Sequence, residues 1–215
     1  MPKKKSLFIT FEGIEGSGKS YLSKRLYQNL KRKGFSVILT REPGGTRSAE
    51  KIRKLILDDY FHPDSKDKFD KYTDTLLYLA ARNEHISTKI KPAIEKKKIV
   101  ICDRFVDSTI AYQVYGKNIN KNLVDNIHKY ILRNIKPDIT FLIKVSSSAS
   151  IQRLKKRKKS DRYDKFSKKF YSNVQNAFIK IAKKNKKRYL ILDNSTNTKK
   201  AEKIINTKIL NIINR

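Results

Sequence analysis

The sequence contains one segment whose residue types and spacing are suited to binding phosphate groups. Residues 13–20 fit the pattern G-x-x-x-x-G-K-S at every fixed position. An apolar, β-prone run at 7–11 precedes the segment, and a helix-like stretch at 19–33 follows it. Its glycines let the backbone curl with N–H groups pointing inward, next to a helix N-terminus that favours negative charge. The pattern therefore predicts a nucleoside triphosphate site.

Two side chains of this phosphate loop are suited to the chemistry of a triphosphate. Lys19 would reach the β- and γ-phosphates, and the Ser20 hydroxyl would be a ligand of Mg²⁺. We expect Lys19 to be catalytic, because it neutralises negative charge on the transferred group. The residues expected to bind ATP are Gly13, Ile14, Glu15, Gly16, Ser17, Gly18, Lys19 and Ser20.

Glu15 is an acidic residue inside the phosphate loop. At an effective dielectric constant of ~20, a carboxylate ~6 Å from a phosphate charge costs about 3 kcal/mol. The side chain is therefore expected to point away from the triphosphate, towards a second substrate or a basic partner. A sugar hydroxyl would suit it, and a solvated loop carboxylate is the plainer alternative.

Further polar stretches follow the predicted strands, where open parallel sheets bind ligands. Residues 40–46, Thr-Arg-Glu-Pro-Gly-Gly-Thr, form a turn in which Thr46 can cap the next helix, and that helix carries Arg53. Tyr78 and Arg82 are four residues apart, so they project from one face of a helix. An aromatic ring beside a guanidinium could hold a base and its phosphate, although a plain surface pair has the same spacing.

Asp103 and Arg104 directly follow an apolar strand. In a chain with a phosphate loop, a carboxylate at this place is expected to be an outer ligand of Mg²⁺. The arginine can bind a phosphate through two parallel hydrogen bonds. The helix that follows carries hydroxyl and amide groups for a second substrate, at Ser108, Thr109, Tyr112 and Gln113.

Residues 153–162 are too rich in charge to be packed, and they predict a mobile basic lid. Phosphoryl transfer places charge on three equatorial oxygens, so a closing arginine lowers the barrier. A solvated, lysine-rich helix end is the alternative that these residues leave open.

Together these segments resemble those of thymidylate kinases, the P-loop kinases that phosphorylate dTMP. The resemblance runs nearly from end to end of the chain. Guanylate and adenylate kinases share the phosphate loop but lack the Arg-Glu-Pro-Gly-Gly-Thr and Ala-Tyr-Gln signatures. The segments that carry the resemblance are residues 11–20, 40–46, 76–82, 103–113, 136–138 and 161–162.

The resemblance implies a role for each basic residue of the site. Arg53, Arg82 and Arg104 are expected to hold the dTMP phosphate, and Arg104 to be catalytic. A phosphate loop with glutamate and no basic residue before its Gly-Lys resembles the bacterial class, in which the lid supplies the arginine. Arg153 and Arg157 match those lid positions, so both are expected to be catalytic. The family is typically a homodimer, and we expect the same here.

The resemblance also implies how the nucleoside is bound. Tyr78 would stack on thymine, Thr109 and Gln113 would read the base edge, Tyr112 would pack under the sugar, and Glu15 would take its 3′-hydroxyl. The expected dTMP-binding residues are Glu15, Arg53, Tyr78, Arg82, Arg104, Ser108, Thr109, Tyr112 and Gln113. The chain has Tyr78 where the family commonly has phenylalanine, and more lysines in the lid than is usual.

These residues must be positioned by a parallel sheet with helices between its strands. Unbroken apolar runs predict strands that are covered on both faces, and the alternation of runs and helices predicts an α/β, three-layer P-loop NTPase fold. We expect a single domain over 1–215, with a five-stranded parallel sheet, helices on both faces and the lid. The predicted strands are 7–11, 37–39, 99–102, 139–145 and 189–192, and the longer predicted helices are 19–33, 70–94, 120–135, 167–184 and 198–213.

Composition limits the remaining classes of protein. The chain has 215 residues and a net charge of +31, with lysines spread along its length instead of forming one stripe. This spread favours a lysine-rich codon bias over a specific nucleic-acid surface, and nonspecific binding to polyanions at low salt is expected either way.

No apolar run is long enough to cross a membrane, so we expect a cytoplasmic protein. Cys102 is the only cysteine and is expected to be a buried thiol.

We therefore predict an Mg²⁺-dependent transfer of the γ-phosphate of ATP to dTMP. The acceptor is already a phosphate dianion, so positioning and charge neutralisation suffice without a strong base. A deoxynucleoside kinase of the same fold is one alternative, and a basic nucleic-acid-binding protein with a vestigial nucleotide site is another. A GTPase is disfavoured because the chain has neither an Asn-Lys-x-Asp nor an Asp-x-x-Gly pattern.

Overall fold

A computed structural model describes residues 6–60, 68–156 and 167–214 of the chain. The described strands form one sheet in the order β2-β3-β1-β4-β5, and every pairing is parallel. This confirms the predicted five-stranded parallel sheet. The strands are β1 (Leu7–Glu12), β2 (Val37–Arg41), β3 (Ile99–Asp103), β4 (Ile139–Lys144) and β5 (Tyr189–Asp193).

Helices connect these strands in the order that the sequence predicts. The helices are α1 (Lys19–Arg32), α2 (Arg47–Tyr60), α3 (Lys71–His85), α4 (Lys91–Glu95), α5 (Val106–Thr109), α6 (Lys121–Ile131), α7 (Ser147–Lys155), α8 (Lys168–Lys184) and α9 (Thr198–Ile213). Two π-helical segments, Ile86–Ile90 and Ile110–Gly116, continue α3 and α5 respectively. In the part of the chain that the structure describes, no helix has the length and apolar character needed to span a membrane.

Both faces of the sheet are buried, as its unbroken apolar strands predict. On one face, Leu22, Leu26 and Leu30 of α1 pack with residues of β1 and α9. On the other face, Phe8 of β1 meets the edge of the Phe105 ring, with 5.0 Å between the ring centroids. Alternate side chains of a strand point to opposite faces, so the strands stay fixed between the two helical layers.

The register of the sheet brings three loops to one edge. Asp103, the last residue of β3, lies opposite Phe11 of β1 and opposite Arg41 of β2. The loops that leave these three strands therefore start side by side at the carboxyl edge, where open parallel sheets bind ligands. The loop after β3, which begins with Arg104, lies between the phosphate loop and the loop after β2.

Two predicted helices differ from the observed ones. The predicted helix 70–94 is interrupted by the π-helical turn before α4, while Asp70 caps its start by accepting a hydrogen bond from the backbone of Tyr72. The predicted helix 120–135 ends at Ile131. Arg133 and Asn134 have left-handed φ angles of 48° and 64°, which end an α-helix before Pro137 is reached.

Candidate active site

The phosphate loop is a close-fitting turn between β1 and α1. A Cβ atom at Gly13 would lie 2.4 Å from the carbonyl oxygen of Ile143, and one at Gly18 would lie 2.6 Å from the Asn194 amide nitrogen. Both glycines also have positive φ angles, of 142° and 90°. Only glycine fits such a cradle, because its backbone runs against β4 and the loop after β5. Lys19 is buried, with its ammonium 3.2 Å from the Ile14 carbonyl oxygen.

Ser20 and Asp103 meet where the sequence predicts a magnesium ion. The Ser20 hydroxyl donates a hydrogen bond to Oδ2 of Asp103. The other carboxylate oxygen, Oδ1, is buried and has no hydrogen-bond partner among the described residues. Oxygen ligands of this type, one hydroxyl and one carboxylate, suit Mg²⁺, which takes its other ligands from water and phosphate. The two side chains therefore fit the ion that they are predicted to bind.

Arg104 joins the phosphate loop to the following helix. Its backbone is in the left-handed region, at a φ of 72°, and its N–H donates to Phe11 O at 2.9 Å. Its guanidinium donates to Gly13 O at 3.0 Å and to Ser108 Oγ at 3.2 Å, and it pairs with the Glu15 carboxylate. The strained backbone is held by these contacts on both sides, as is common at functional sites.

Glu15 faces this arginine, as expected of an acidic side chain that must avoid the triphosphate. Its second oxygen accepts a hydrogen bond from the Tyr112 hydroxyl. Burial alone would raise the pKa of Glu15, but the charges of Arg104 and Lys19 and the Tyr112 bond bring it below its usual range. Glu15 is therefore ionised. Its contact with a sugar hydroxyl stays a prediction.

Arg82 lines the pocket next to the one that contains Lys19, and it is almost completely buried. Its Nε donates to Glu42 at 2.7 Å and its Nη1 to Thr109 Oγ1 at 2.7 Å. The same Nη1 lies 2.8 Å from Nε2 of His128, and Nη2 donates to Phe105 O at 3.0 Å. These bonds place the guanidinium beside Thr109, a residue predicted to read the base. Spacing alone could not reveal this, because the partners come from three other parts of the chain.

Two neighbouring pockets bring most of the predicted substrate residues together. The smaller one encloses about 360 Å³ including its mouth, and it is lined by Glu42, Pro43, Tyr78, Arg82, Arg104, Ser108, Thr109, Tyr112 and Gln113. The larger one contains Lys19, Ser20, Asp103, Glu15 and Arg53. Arg104, Glu42 and Pro43 line both pockets. Arg53 is held there by donating to Pro43 O at 2.9 Å.

Of the two predicted lid arginines, the structure describes Arg153 but not Arg157. Arg153 lies on α7, and its guanidinium donates to the carbonyl oxygens of Gly16, Asn194 and Ser195 at 3.1, 2.6 and 3.2 Å. In this position it ties the phosphate loop to the loop after β5. Its contact with a transferring phosphate stays a prediction. Arg157 lies outside the described residues, as does most of the predicted lid.

Two buried residues of the site, Glu12 and His128, were not predicted from the sequence to have a role. Glu12 accepts hydrogen bonds from the backbone of Phe105 at 2.8 Å and from the Ser108 hydroxyl at 2.5 Å, so it anchors the segment that carries Arg104. Burial, followed by the charge of Asp107, raises the pKa of Glu12 to about 8. A charged residue at the end of an apolar strand is a signal that sequence reasoning could have used.

His128 is the second of these residues, and its sequence context does not indicate a functional role. It sits on α6, and burial, then the charges of Arg82 and Lys121, lower its pKa to about 3. The imidazole is therefore neutral at neutral pH, and its Nε2 accepts the hydrogen bond from Arg82. A lone histidine in a helix can equally be a solvated or a core residue, so only the fold reveals this contact.

This histidine predicts a change of stability with pH. The pKa of His128 is about 3 in the folded chain, against an ordinary value of 6.5, so the unfolded chain binds more protons between these values. The contribution of His128 is fully present above pH 6.5 and is lost as the pH falls towards 3. Between pH 6.5 and 5 we expect a loss of about 2 kcal/mol in the free energy of unfolding.

Urea unfolding of the wild type and of His128→Gln at several pH values measures this loss. The variant lacks the titrating imidazole and is expected to lose less stability than the wild type over that range. The difference between the two proteins removes the titration of Glu12, which occurs in both. Parallel pH curves for the two proteins would show that His128 is not held neutral by the fold.

Comparisons with known proteins identify the family of the chain. The family model described as "Thymidylate kinase" matches residues 11–205. The chain is 41% identical over 189 residues to the thymidylate kinase of Mycoplasma capricolum subsp. capricolum, covering 87% of this chain and 86% of that protein. It is 40% identical to the thymidylate kinase of Ligilactobacillus salivarius, covering 90% and 92% of the two chains.

A solved structure gives the same result for the fold. The crystal structure of thymidylate kinase from Ehrlichia chaffeensis is 36% identical, with a TM-score of 0.74, and the match covers 97% of this chain and 99% of that one. The predicted P-loop NTPase fold, with its five parallel strands, is thereby confirmed. With the family model matching most of its length, this chain belongs to the thymidylate kinase family.

Proposed function

We propose that this chain transfers the γ-phosphate of ATP to dTMP, giving ADP and dTDP, in the cytoplasm and as a single kinase domain. The observation that carries this proposal is the position of Arg104. It lines both the pocket that contains Lys19 and the pocket that contains the aromatic and amide side chains. An arginine that lines both a triphosphate cradle and a pocket of aromatic and amide side chains can bind the phosphates of both substrates. The relatives' printed name, thymidylate kinase, is consistent with this assignment.

The expected mechanism is charge neutralisation in a fixed geometry. Lys19 neutralises the phosphates of ATP, and Arg104 holds the acceptor phosphate close to them. The acceptor needs no deprotonation by a strong base, because a phosphate monoester is already largely dianionic at neutral pH. Glu15 pairs with Arg104 and so fixes the direction of its guanidinium. When nucleotide binds, we expect Arg104 to exchange part of this contact for the acceptor phosphate.

We propose that Ser20 and Asp103 hold Mg²⁺ together with the nucleotide. The free, buried Oδ1 of Asp103 supports this, because an unpaired buried carboxylate oxygen is costly unless a cation or donor reaches it. The ion would supply charge neutralisation at the phosphates. Ser20 and Asp103 would keep that charge on the phosphate-loop side of Arg104.

We propose that the smaller pocket binds the thymine base. Tyr78 supplies an aromatic face, Thr109 and Gln113 supply polar groups, and Arg82 supplies N–H donors from a fixed guanidinium. Because Arg82 bonds to Thr109, we now assign it to the base and leave the phosphate to Arg53 and Arg104. Arg153 and Arg157 remain our candidates for the lid cations.

An ADP-release assay across nucleoside monophosphates tests the proposed function. We expect turnover with dTMP, far slower turnover with dCMP, AMP and GMP, and none when Mg²⁺ is removed by EDTA. Thymidine in place of dTMP separates the two kinase alternatives. Turnover with thymidine but not with dTMP would indicate a deoxynucleoside kinase. Sequence-dependent DNA binding that resists salt, without any turnover, would favour the nucleic-acid-binding alternative.

We also propose that the chain forms a homodimer through α2, α3 and α6. These neighbouring helices expose large apolar side chains, namely Leu55, Tyr72, Leu76 and Leu123. Large apolar side chains exposed on adjoining helices of a soluble protein are a common feature of interfaces. Leu76→Glu is expected to produce a monomer in analytical ultracentrifugation. Ile204→Glu, the same change at an exposed residue of α9, is the matched control and should remain dimeric. A wild-type monomer at micromolar concentration would contradict the dimer.

A further inference from the structure

The Arg82 guanidinium is fixed by acceptors from several parts of the chain. Glu42, from the loop after β2, holds Nε, and the Phe105 carbonyl holds Nη2. The two hydrogens of Nη1 go to Thr109 and to His128. Four of its five N–H groups are thus directed by the protein, and the ring of Phe105 lies 5.5 Å from its central carbon. The orientation of the guanidinium plane is therefore set before any nucleotide arrives.

His128 is the unusual member of this group. Thr109 lines the smaller pocket beside Arg82, whereas His128 contacts Arg82 without lining that pocket. An imidazole beside a guanidinium can accept its hydrogen only when it is neutral. Burial enforces that state, because a second positive charge at 2.8 Å from Nη1 would be strongly unfavourable.

We propose that His128 is a positioning residue for nucleobase selection. Its neutral Nε2 holds Nη1 of Arg82, so that the guanidinium presents its remaining N–H group to the base pocket in one orientation. An arginine N–H favours a base carbonyl as its partner and disfavours an exocyclic amino group, which is also a donor. A fixed donor discriminates between the two, whereas a donor free to rotate can turn away from the wrong group. This inference rests on the proposed function, in which the smaller pocket binds the base.

The geometry also separates this role from a purely structural one. A histidine that served only to pack α6 would not need its ring nitrogen at 2.8 Å from the arginine. Its loss would lower the stability of α6 and leave the choice of base unchanged. Val124, on the same helix, is fully buried and provides that comparison.

The test is steady-state kinetics of the purified full-length chain with dTMP and with dCMP. His128→Leu keeps the approximate size of the side chain and removes the acceptor. We expect the KM for dTMP to rise about tenfold, the preference for dTMP over dCMP to fall about tenfold, and the KM for ATP to stay unchanged. His128→Gln, whose amide oxygen can reach the position of Nε2, is expected to restore the preference. Val124→Ala should lower the melting temperature without changing the preference for dTMP over dCMP.

Each outcome decides the inference. An unchanged preference in His128→Leu, no restoration by glutamine, or the same loss of preference in Val124→Ala would overturn it. Should the leucine variant fail to fold, His128→Asn takes its place, because its shorter amide ends near the position of Nδ1 and cannot reach Arg82 as glutamine does. A wild-type protein without dTMP kinase activity would overturn the proposed function instead, before any variant is measured.

Discussion

Lys19→Ala is expected to lower kcat for dTMP phosphorylation roughly 1,000-fold. The lysine is buried in the phosphate loop, with its ammonium near the Ile14 carbonyl. The lysine's charge stabilises the negative charge of the transferred group most strongly in the transition state. The loss of activity should therefore appear mainly in kcat. Single-turnover and steady-state kinetics with saturating ATP and dTMP measure it.

A matched control separates this effect from a general loss of positive charge. Lys31→Ala removes the same charge from the last turn of α1, on an exposed residue away from the pockets. It should keep near-normal kinetics. Lys19→Ala with kcat within a few-fold of the wild type, at unchanged melting temperature, would remove this residue from the mechanism.

Arg104→Ala is expected to reduce kcat/KM for dTMP by roughly 1,000-fold as well, with a smaller change in the KM for ATP. The guanidinium lies between the two pockets, so its loss should weaken the grip on the acceptor more than the grip on the donor. The same substitution leaves the buried Glu15 without its ion pair, which is expected to destabilise the fold by about 3 kcal/mol.

A double variant distinguishes the two consequences. Arg104→Ala combined with Glu15→Gln removes the unpaired charge, so it should recover much of the lost stability while activity stays low. Thermal melts and dTMP kinetics on the same samples measure both quantities. Should activity return together with stability in the double variant, Arg104 would be a structural residue only.

The sequence predicted the features that depend on short-range spacing. The phosphate loop is one continuous segment, so its glycines, Lys19 and Ser20 reveal the nucleotide site directly. The position of Asp103 beside the phosphate loop could be predicted, because it ends an apolar strand and parallel strands end at a common edge. The five-stranded sheet followed from the alternation of apolar runs and helices for the same local reason.

The orientation of long side chains could not be predicted in this way. The resemblance assigns Arg82 to the dTMP phosphate, which stays a prediction. Its observed hydrogen-bond partners are distant in sequence. Glu42 is 40 residues away and His128 is 46 residues away, and only tertiary packing selects them. Arg153 likewise turns towards backbone carbonyls of two loops that no spacing rule relates to α7.

A crystal structure of the chain with Mg²⁺, ADP and dTMP tests the central claim most directly. The claim is that Arg104 grips the acceptor phosphate beside the phosphate loop while the base occupies the neighbouring pocket. We expect the dTMP phosphate within hydrogen-bonding distance of the Arg104 guanidinium, and the thymine ring against Tyr78. The nucleotide bound elsewhere, with the Arg104 guanidinium still bonded only to protein groups such as Glu15, Gly13 and Ser108, would contradict it.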